Sequence, residues 1–397
     1  MSKFAGLFSI IFVVIFLHCA VLFGQTADVL EQINQLYSTK QYAQAAAAYQ
    51  NLLAKTTDAP TKAKILFNLG LTYQQLKQYD KAIENFRQIF EMKVDDREAG
   101  GNIMQAYRNY RPNAQWEIGN SFFAKGDYEN ALLAYRTTRE KYPFRSWCGT
   151  CQGSFESRYV LYEAICLEYL GRYDEAVKLY LTIYEPRLAE IFYQAGQIED
   201  LKAIIAKRDE VYIADGMRKY AWTREKASEG LPSHYLNDAI KIYDLEKSEN
   251  WVGLIKSAVR FAPLRRNGRR NAAAEILARH PQKVLPLIKN DLNNPTDRTR
   301  IFLYYEVLGL TGTNESIAIL KELAAKELNW WHVAELVKAL GAAGDKGERA
   351  LKELEPNAKD NLKLAIERNK TGELDAESVN EIKFPTRAVN GRLPTNL

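Results

Sequence analysis

The residues best placed to do chemistry are the two cysteines of Trp147-Cys-Gly-Thr-Cys151. A helix pattern starts just beyond them, near Ser154, and a helix N-terminus favours a thiolate through its unpaired N–H groups and its dipole. Three chemistries follow for Cys148 and Cys151: a structural disulfide that pins a loop, a thiol-disulfide redox pair, or half of a metal site. As a disulfide, so small a ring would stabilise the chain by about 2 kcal/mol in the chain-entropy account. Zinc needs further ligands, and His234, His280 and His332 are isolated, with no HxxxH or HxxH spacing, so the expectation is no metal and three packed or surface histidines. Gln152 stands where covalent haem attachment needs a histidine. Cys166 falls on a helix face and is expected as a buried free thiol. No phosphate-cradling glycine loop, nucleophile elbow or calcium loop is present, and Asp95-Asp96 and Glu199-Asp200 read as solvated turns and helix starts. Neither a cofactor nor a catalytic group is therefore expected.

The elements that must position these thiols are helices. Trp147-Cys-Gly-Thr-Cys151 resembles the active-site stretch of thioredoxin-like oxidoreductases, which implies a cysteine of lowered pKa that attacks disulfides. The strand-helix-strand pattern around that stretch is missing. What flanks it is a recurring grammar: Asn68-Leu-Gly-Leu-Thr-Tyr73, then Tyr79-Asp-Lys-Ala82, then Phe86. Gly70 and Ala82 allow two antiparallel helices to approach closely, Tyr73 and Phe86 fill the flanks, and Lys77-Gln78 make the connection. The pattern returns at Gly119, Phe122, Gly126-Asp127-Tyr128, Ala131 and Tyr135, closing on Pro143. It returns again at Ala164, Leu167, Gly171-Arg172-Tyr173, Ala176 and Tyr180, and more weakly at Ile33, Leu36, Tyr42, Ala45 and Tyr49.

In this grammar the sequence resembles the tetratricopeptide repeat family, whose unit is a helix pair of about 34 residues. Copies match at 26–59, 63–96, 112–145 and 157–190, with a degenerate fifth at Ala189, Phe192, Gly196, Ile198, Leu201 and Ile205. Extra residues interrupt the spacing at Glu98–Arg111 and Ser146–Gly153. The resemblance implies an all-α, right-handed α-solenoid with a concave wall lined by the first helix of each pair. Its groove positions fall on Asn34 and Tyr37, on Phe67, Leu71 and Gln74, on Trp116, Asn120 and Phe123, and on Leu161, Ile165 and Tyr169. That set is rich in aromatic and amide groups, as a protein-binding surface should be. The family's carboxylate clamp is not expected: Asn34 and Asn68 match two positions, but Leu30, Asn113 and Glu117 stand where basic or amide groups are required.

Past residue 208 the grammar fades while helical spacing continues. Pro232-Ser233 reads as a helix start with Ser233 as cap. A second rhythm runs through Arg298–Gly312, Glu315–Leu328 and Trp330–Gly344, with Gly309/Gly312 and Gly341/Gly344 in matching places. This is similar to HEAT-type helical repeats, and Ala274–Ile288 reads as an imperfect copy. Strand signals are nearly absent. The expected organisation is a signal peptide at 1–26, tetratricopeptide repeats at 27–208, connecting helices at 209–262, HEAT-like repeats at 263–356, and at 357–397 a short helix and an extended or disordered tail.

The N-terminus has the composition of a secretory signal: Lys3, an apolar run Ile10–Leu17 extended by Ala20–Phe23, then small or polar Gly24, Gln25, Thr26 and Ala27. It places the protein across the inner membrane, in the periplasm or cell envelope. An uncleaved anchor is the alternative, and His18 before Cys19 argues against a lipobox. A net charge of +5 over 397 residues argues against a nucleic-acid partner. Arg260, Arg265, Arg266, Arg269 and Arg270 form a basic cluster, read either as a solvated linker or as the seat of an anionic partner. The functional expectation is an exported, non-catalytic scaffold that binds another protein or peptide. The alternative is a thiol-disulfide protein whose repeats bring substrate to Cys148 and Cys151.

Overall fold

The structure, a computed structural model, describes residues 29–102, 105–260, 272–293, 300–326, 329–372, 374 and 392–395. The signal segment with Cys19 lies outside them, as do Arg265, Arg266, Arg269 and Arg270. The chain divides into two compact units, Met1–Ile183 and Tyr184–Leu397.

In the first unit residues 29–38 are helical (α1), followed by α2 Tyr42–Lys55, α3 Ala59–Gln75 and α4 Tyr79–Gln88. A hairpin intervenes, β1 Ala99–Asn102 with β2 Gln105–Tyr107, antiparallel and irregular between Ala99 and Asn102. Then come α5 Tyr110–Lys125, α6 Tyr128–Lys141, α7 Gly149–Tyr169 and α8 Tyr173–Thr182. Successive helices pack as antiparallel neighbours from α2 through α8. Their apolar faces are buried between neighbours, and the largest fully buried side chains include Tyr49, Phe86, Tyr135 and Tyr180.

The repeat grammar has a direct structural cause. A Cβ on Gly70 would stand 2.4 Å from Phe86 Cε1, and one on Gly119 would stand 2.6 Å from Tyr135 Cε1. The glycine is the seat of the aromatic ring sixteen residues later, not merely a small spacer. The turns inside the pairs are equally uniform. Lys40, Lys77, Gly126 and Gly171 all sit at left-handed φ, between 57 and 78°. The next N–H donates back across the turn each time: Gln41 to Leu36 O, Gln78 to Tyr73 O, Asp127 to Phe122 O and Arg172 to Leu167 O, at 2.8–3.0 Å. This is the six-to-one bond that satisfies an orphan carbonyl at a helix end.

The two interruptions of the spacing pack against each other. Asn109, fully buried and left-handed at φ 49°, reaches from the first insertion to Arg145, the residue just before the second. Arg145 N donates to Asn109 Oδ1 at 2.9 Å, and Asn109 Nδ2 donates to Arg145 O at 3.0 Å. The Tyr107 and Trp147 rings meet edge to face at 5.8 Å. The hairpin was not foreseen, because its first strand, Ala-Gly-Gly-Asn, has none of the β-branched or aromatic residues that mark strands.

The second unit opens with α9 Arg187–Gln194 and α10 Ile198–Tyr220, then α11 Arg224–Glu229, α12 His234–Lys247 and α13 Trp251–Arg260. Arg260 ends α13. The left-handed turn recurs at Gly196 and at Glu249, with φ 70 and 51°, and with Gln197 N donating to Phe192 O and Asn250 N to Leu245 O. So α12–α13 is a helix pair of the same kind that the sequence grammar misses. Ser233 precedes α12 but makes no side-chain cap; its hydroxyl donates instead to Asp209 Oδ2 at 2.8 Å. Further on are α14 Ala272–Arg279, α15 Pro281–Asn293, α16 Ile301–Thr311, α17 Asn314–Ala324, α18 Trp330–Ala342, α19 Asp345–Leu354 and α20 Asp360–Lys370. α14, α16, α18 and α20 lie side by side, as do α17 and α19. Gly309 makes the α16–α18 approach possible: a Cβ there would be 2.4 Å from Ala339 O.

Within the tail, residues 392–395 are described. Leu393 is 3 % exposed and is held at the α9–α10 turn. Its N–H donates to Gln197 Oε1 at 2.7 Å, and Gln197 Nε2 donates to Leu393 O at 3.3 Å. A primary amide matches one backbone N–H and C=O pair, so this part of the tail is extended but docked, not disordered.

Candidate interaction face

The first helices of the pairs carry a connected aromatic stripe. Trp116 on α5 contacts Tyr159 and Tyr162 on α7, with ring centroids 5.3 and 4.9 Å apart, and Tyr135 on α6 at 4.8 Å. One turn-pair further along, Phe123 meets Tyr162 at 6.1 Å and Tyr169 at 5.6 Å. Tyr169 stacks on Tyr128 at 4.2 Å with planes 11° apart. Trp116, Phe123, Tyr128, Tyr162 and Tyr169 are all half-buried, so each keeps an edge or face open while its neighbours hold it.

A polar ladder runs beside the stripe. Gln74 Nε2 on α3 donates to Glu117 Oε2 at 3.0 Å and to Ser121 Oγ at 3.0 Å, and Asn120 Nδ2 donates to the same Glu117 oxygen at 3.0 Å. Burial pushes the Glu117 carboxyl above the ordinary glutamate value, against the hydrogen bonds from Asn120 and Gln74 and the nearby Arg158 charge, which pull it down. In two pairs an asparagine also ties the second helix to the first. Tyr135 OH donates to Asn120 Oδ1 at 2.9 Å, and Tyr49 OH to Asn34 Oδ1 at 3.3 Å.

Residues 63–93 match the tetratricopeptide repeat family, and residues 117–190 match it again. The chain carries tetratricopeptide repeats. Its curated comparison returns no match. The repeats make a helical-repeat solenoid, a class of module that mediates protein–protein interaction.

Within the tetratricopeptide repeats the groove residues expected from sequence separate into groups. Trp116, Asn120, Phe123 and Tyr169 come together in the stripe and ladder described above, and Gln74 joins them. Phe67 and Leu71 are half-buried on α3, with Phe67 against the Phe86 ring at 5.6 Å. Asn34 is exposed, and Tyr37 is half-buried against Tyr42 at 5.2 Å. Leu161 and Ile165 do not line the face: they are 7 % and 0 % exposed and belong to the core. No neighbour replaces Ile165, since Cys166 is buried as well. Tyr162, one residue and about 100° on around the helix, takes the place assigned to Leu161. Two signals pointed to it: Tyr162 lies seven residues before Tyr169, two helical turns along the same face, and both are aromatic.

The thiols are placed differently from the disulfide reading. Cys148, Cys151 and Cys166 are all free. Cys148 is the N-cap of α7, and its Sγ accepts the Cys151 N–H at 3.2 Å. The hydrogen bond from Cys151, followed by the backbone N–H groups of Cys151 and Thr150, holds the Cys148 thiol below its ordinary pKa, whereas Cys151 is pushed up. Cys166 is buried, and burial first, then the charges of Glu163 and Glu129, raise its pKa well above the ordinary thiol value. His280 meets Glu246 Oε1 at 3.2 Å, and His332 Nδ1 meets Tyr305 OH at 3.0 Å. Among the described residues there is no group of three His, Cys, Asp or Glu arranged to hold a metal ion, and no helix long and apolar enough to cross a membrane.

Proposed function

We propose that the protein is an exported, non-catalytic scaffold that holds a segment of another protein along the face of α3, α5 and α7. The observation that carries this reading is the aromatic stripe from Trp116 to Tyr169 beside the Gln74–Glu117–Asn120 ladder. Rigid half-buried rings lose little side-chain freedom on binding, and the amide ladder beside them fixes the helices that carry them. The repeats stack this face into a concave wall, and the N-terminal Lys3 and Ile10–Phe23 pattern directs the chain across the inner membrane into the cell envelope. The basic cluster from Arg260 to Arg270 would add an anionic patch to the partner's requirements.

A second reading rests on one observation: Cys148 is a helix N-cap with a depressed thiol pKa beside Trp147, which is 68 % exposed. In that reading the repeats recruit a disulfide-bearing substrate to the Cys148/Cys151 pair. One experiment separates the two. A photo-crosslinking side chain is placed in cells at Phe123, at Tyr37, or at Leu133, which is 62 % exposed on α6. The scaffold reading expects one partner captured from Phe123 and Tyr37 but not from Leu133, and unchanged in a Cys148→Ser/Cys151→Ser background. Equal capture from Leu133 rejects the face. Capture lost together with insulin-reducing activity in the double serine variant transfers the function to the thiols.

A further inference from the structure

A concavity of about 290 Å³ lies where the two ends of the first insertion meet the end of α6, lined by Asp95, Asp96, Arg97, Arg111, Lys141 and Arg145 among others. Its charges are not balanced. Asp96 is engaged by Arg111, accepting the Arg111 backbone N–H at 2.9 Å and lying 2.9 Å from its Nε. Asp95 accepts the backbone N–H of Arg97 at 2.9 Å. Arg97, Lys141 and Arg145 have no carboxylate partner for their side chains among the described residues. These cations come from three segments: the loop before the hairpin, the last turn of α6, and the loop before Cys148. Asn109 grips both the N–H and the C=O of Arg145, so the loop carrying that guanidinium is clamped to the pocket at some cost in backbone strain.

We propose that this pocket binds a phosphate monoester group. With Arg111 and Asp96 paired, Arg97, Lys141 and Arg145 face only the Asp95 carboxylate, an excess of two positive charges that suits a tetrahedral dianion whose three terminal oxygens face different donors. Two of them are guanidinium groups, which can grip such oxygens in pairs. The volume is at the lower end for ligand pockets, so it takes the phosphoryl group and the first atoms of its carrier rather than a whole large ligand. The site shares no residue with the aromatic stripe and does not depend on the scaffold reading. The carrier is either a small phosphate ester or a phosphorylated side chain, and the chemistry recognised is the same for both.

The test is calorimetric titration of the full chain at low salt with phenyl phosphate, a phosphoserine peptide and acetate. Phenyl phosphate is expected to bind, acetate not, and added salt to weaken the binding. A phosphoserine peptide tighter than phenyl phosphate assigns the carrier to protein; a weaker one assigns it to small esters. Arg97→Ala/Arg145→Ala, both exposed, should fold normally by circular dichroism and lose at least about tenfold in affinity, since a hydrogen bond to a charged group is commonly worth that much. Asn109→Ala, which frees the Arg145 loop, should weaken binding with the same ligand preference. Acetate binding as tightly as phenyl phosphate, or undiminished phosphate affinity in the double arginine variant, would overturn the proposal.

Discussion

At the scale of single residues, side chains that look ready for a ligand are spent on holding repeats together. Asn120 accepts from Tyr135 and donates to Glu117, so its amide works as an internal strut beside the face. Glu117 is the informative exception, a carboxylate kept above its ordinary pKa by burial. For an acid the sign is as follows: a folded-state pKa above the unfolded one means a penalty for the ionised form at neutral pH, and that penalty is relieved as the group protonates on acidification. Glu117→Gln removes the penalty and keeps an oxygen to accept from Gln74 and Asn120. Thermal unfolding should therefore show a higher Tm for the variant at about pH 7, with the gain shrinking towards about pH 4. A variant that loses stability at neutral pH and recovers in acid would contradict this account. Single-residue reasoning also exposes the misplacement of Leu161 and Ile165. Apolar character told that they pack, but not against which side.

At the scale of the element, the repeat is a glycine that seats a ring and a turn that needs a left-handed residue. Gly70→Ala puts a methyl into the Phe86 ring and should cost about 1–3 kcal/mol, the usual range for overpacking. Lys77, at φ 57°, pays for a conformation that glycine adopts freely, so Lys77→Gly should be neutral to stabilising, by up to about 1 kcal/mol after the added freedom of the unfolded chain is subtracted. Chemical denaturation of the pair checks both, and Gly70→Ala as stable as the parent would remove the seat interpretation. Four of these turns were readable because their neighbours carry the family's aromatic and small residues. The turn at Glu249 was not, because a left-handed glutamate leaves no compositional mark. Only the bond from Asn250 N to Leu245 O reveals it.

At the scale of the whole molecule, each unit has its own closure. In the first, Asn109 of the 98–111 insertion clamps Arg145, just before the 146–153 insertion, so an apparent irregularity in the repeat becomes a joint beside a pocket. In the second, Gln197 holds Leu393 from 196 positions away. Amide hydrogen exchange on the full chain should find the Leu393 N–H protected, and Gln197→Ala should abolish that protection while leaving the helices intact, since a docked terminus opens locally before the fold does. Exchange of Leu393 at the rate of an unstructured chain in the parent protein would show that the tail is not held.

Helical class, pair boundaries and the small-to-large contacts within pairs were written into local spacing, because a helix brings residues three and four apart onto one face and each pair must hide its apolar side against the next. The partnerships between distant segments were not: Asn109 with Arg145, Gln197 with Leu393, the thiols left free, and the angular phase of α7. Those depend on where two stretches of chain meet, and a polar side chain carries no mark of its partner until folding brings the partner within about 3 Å.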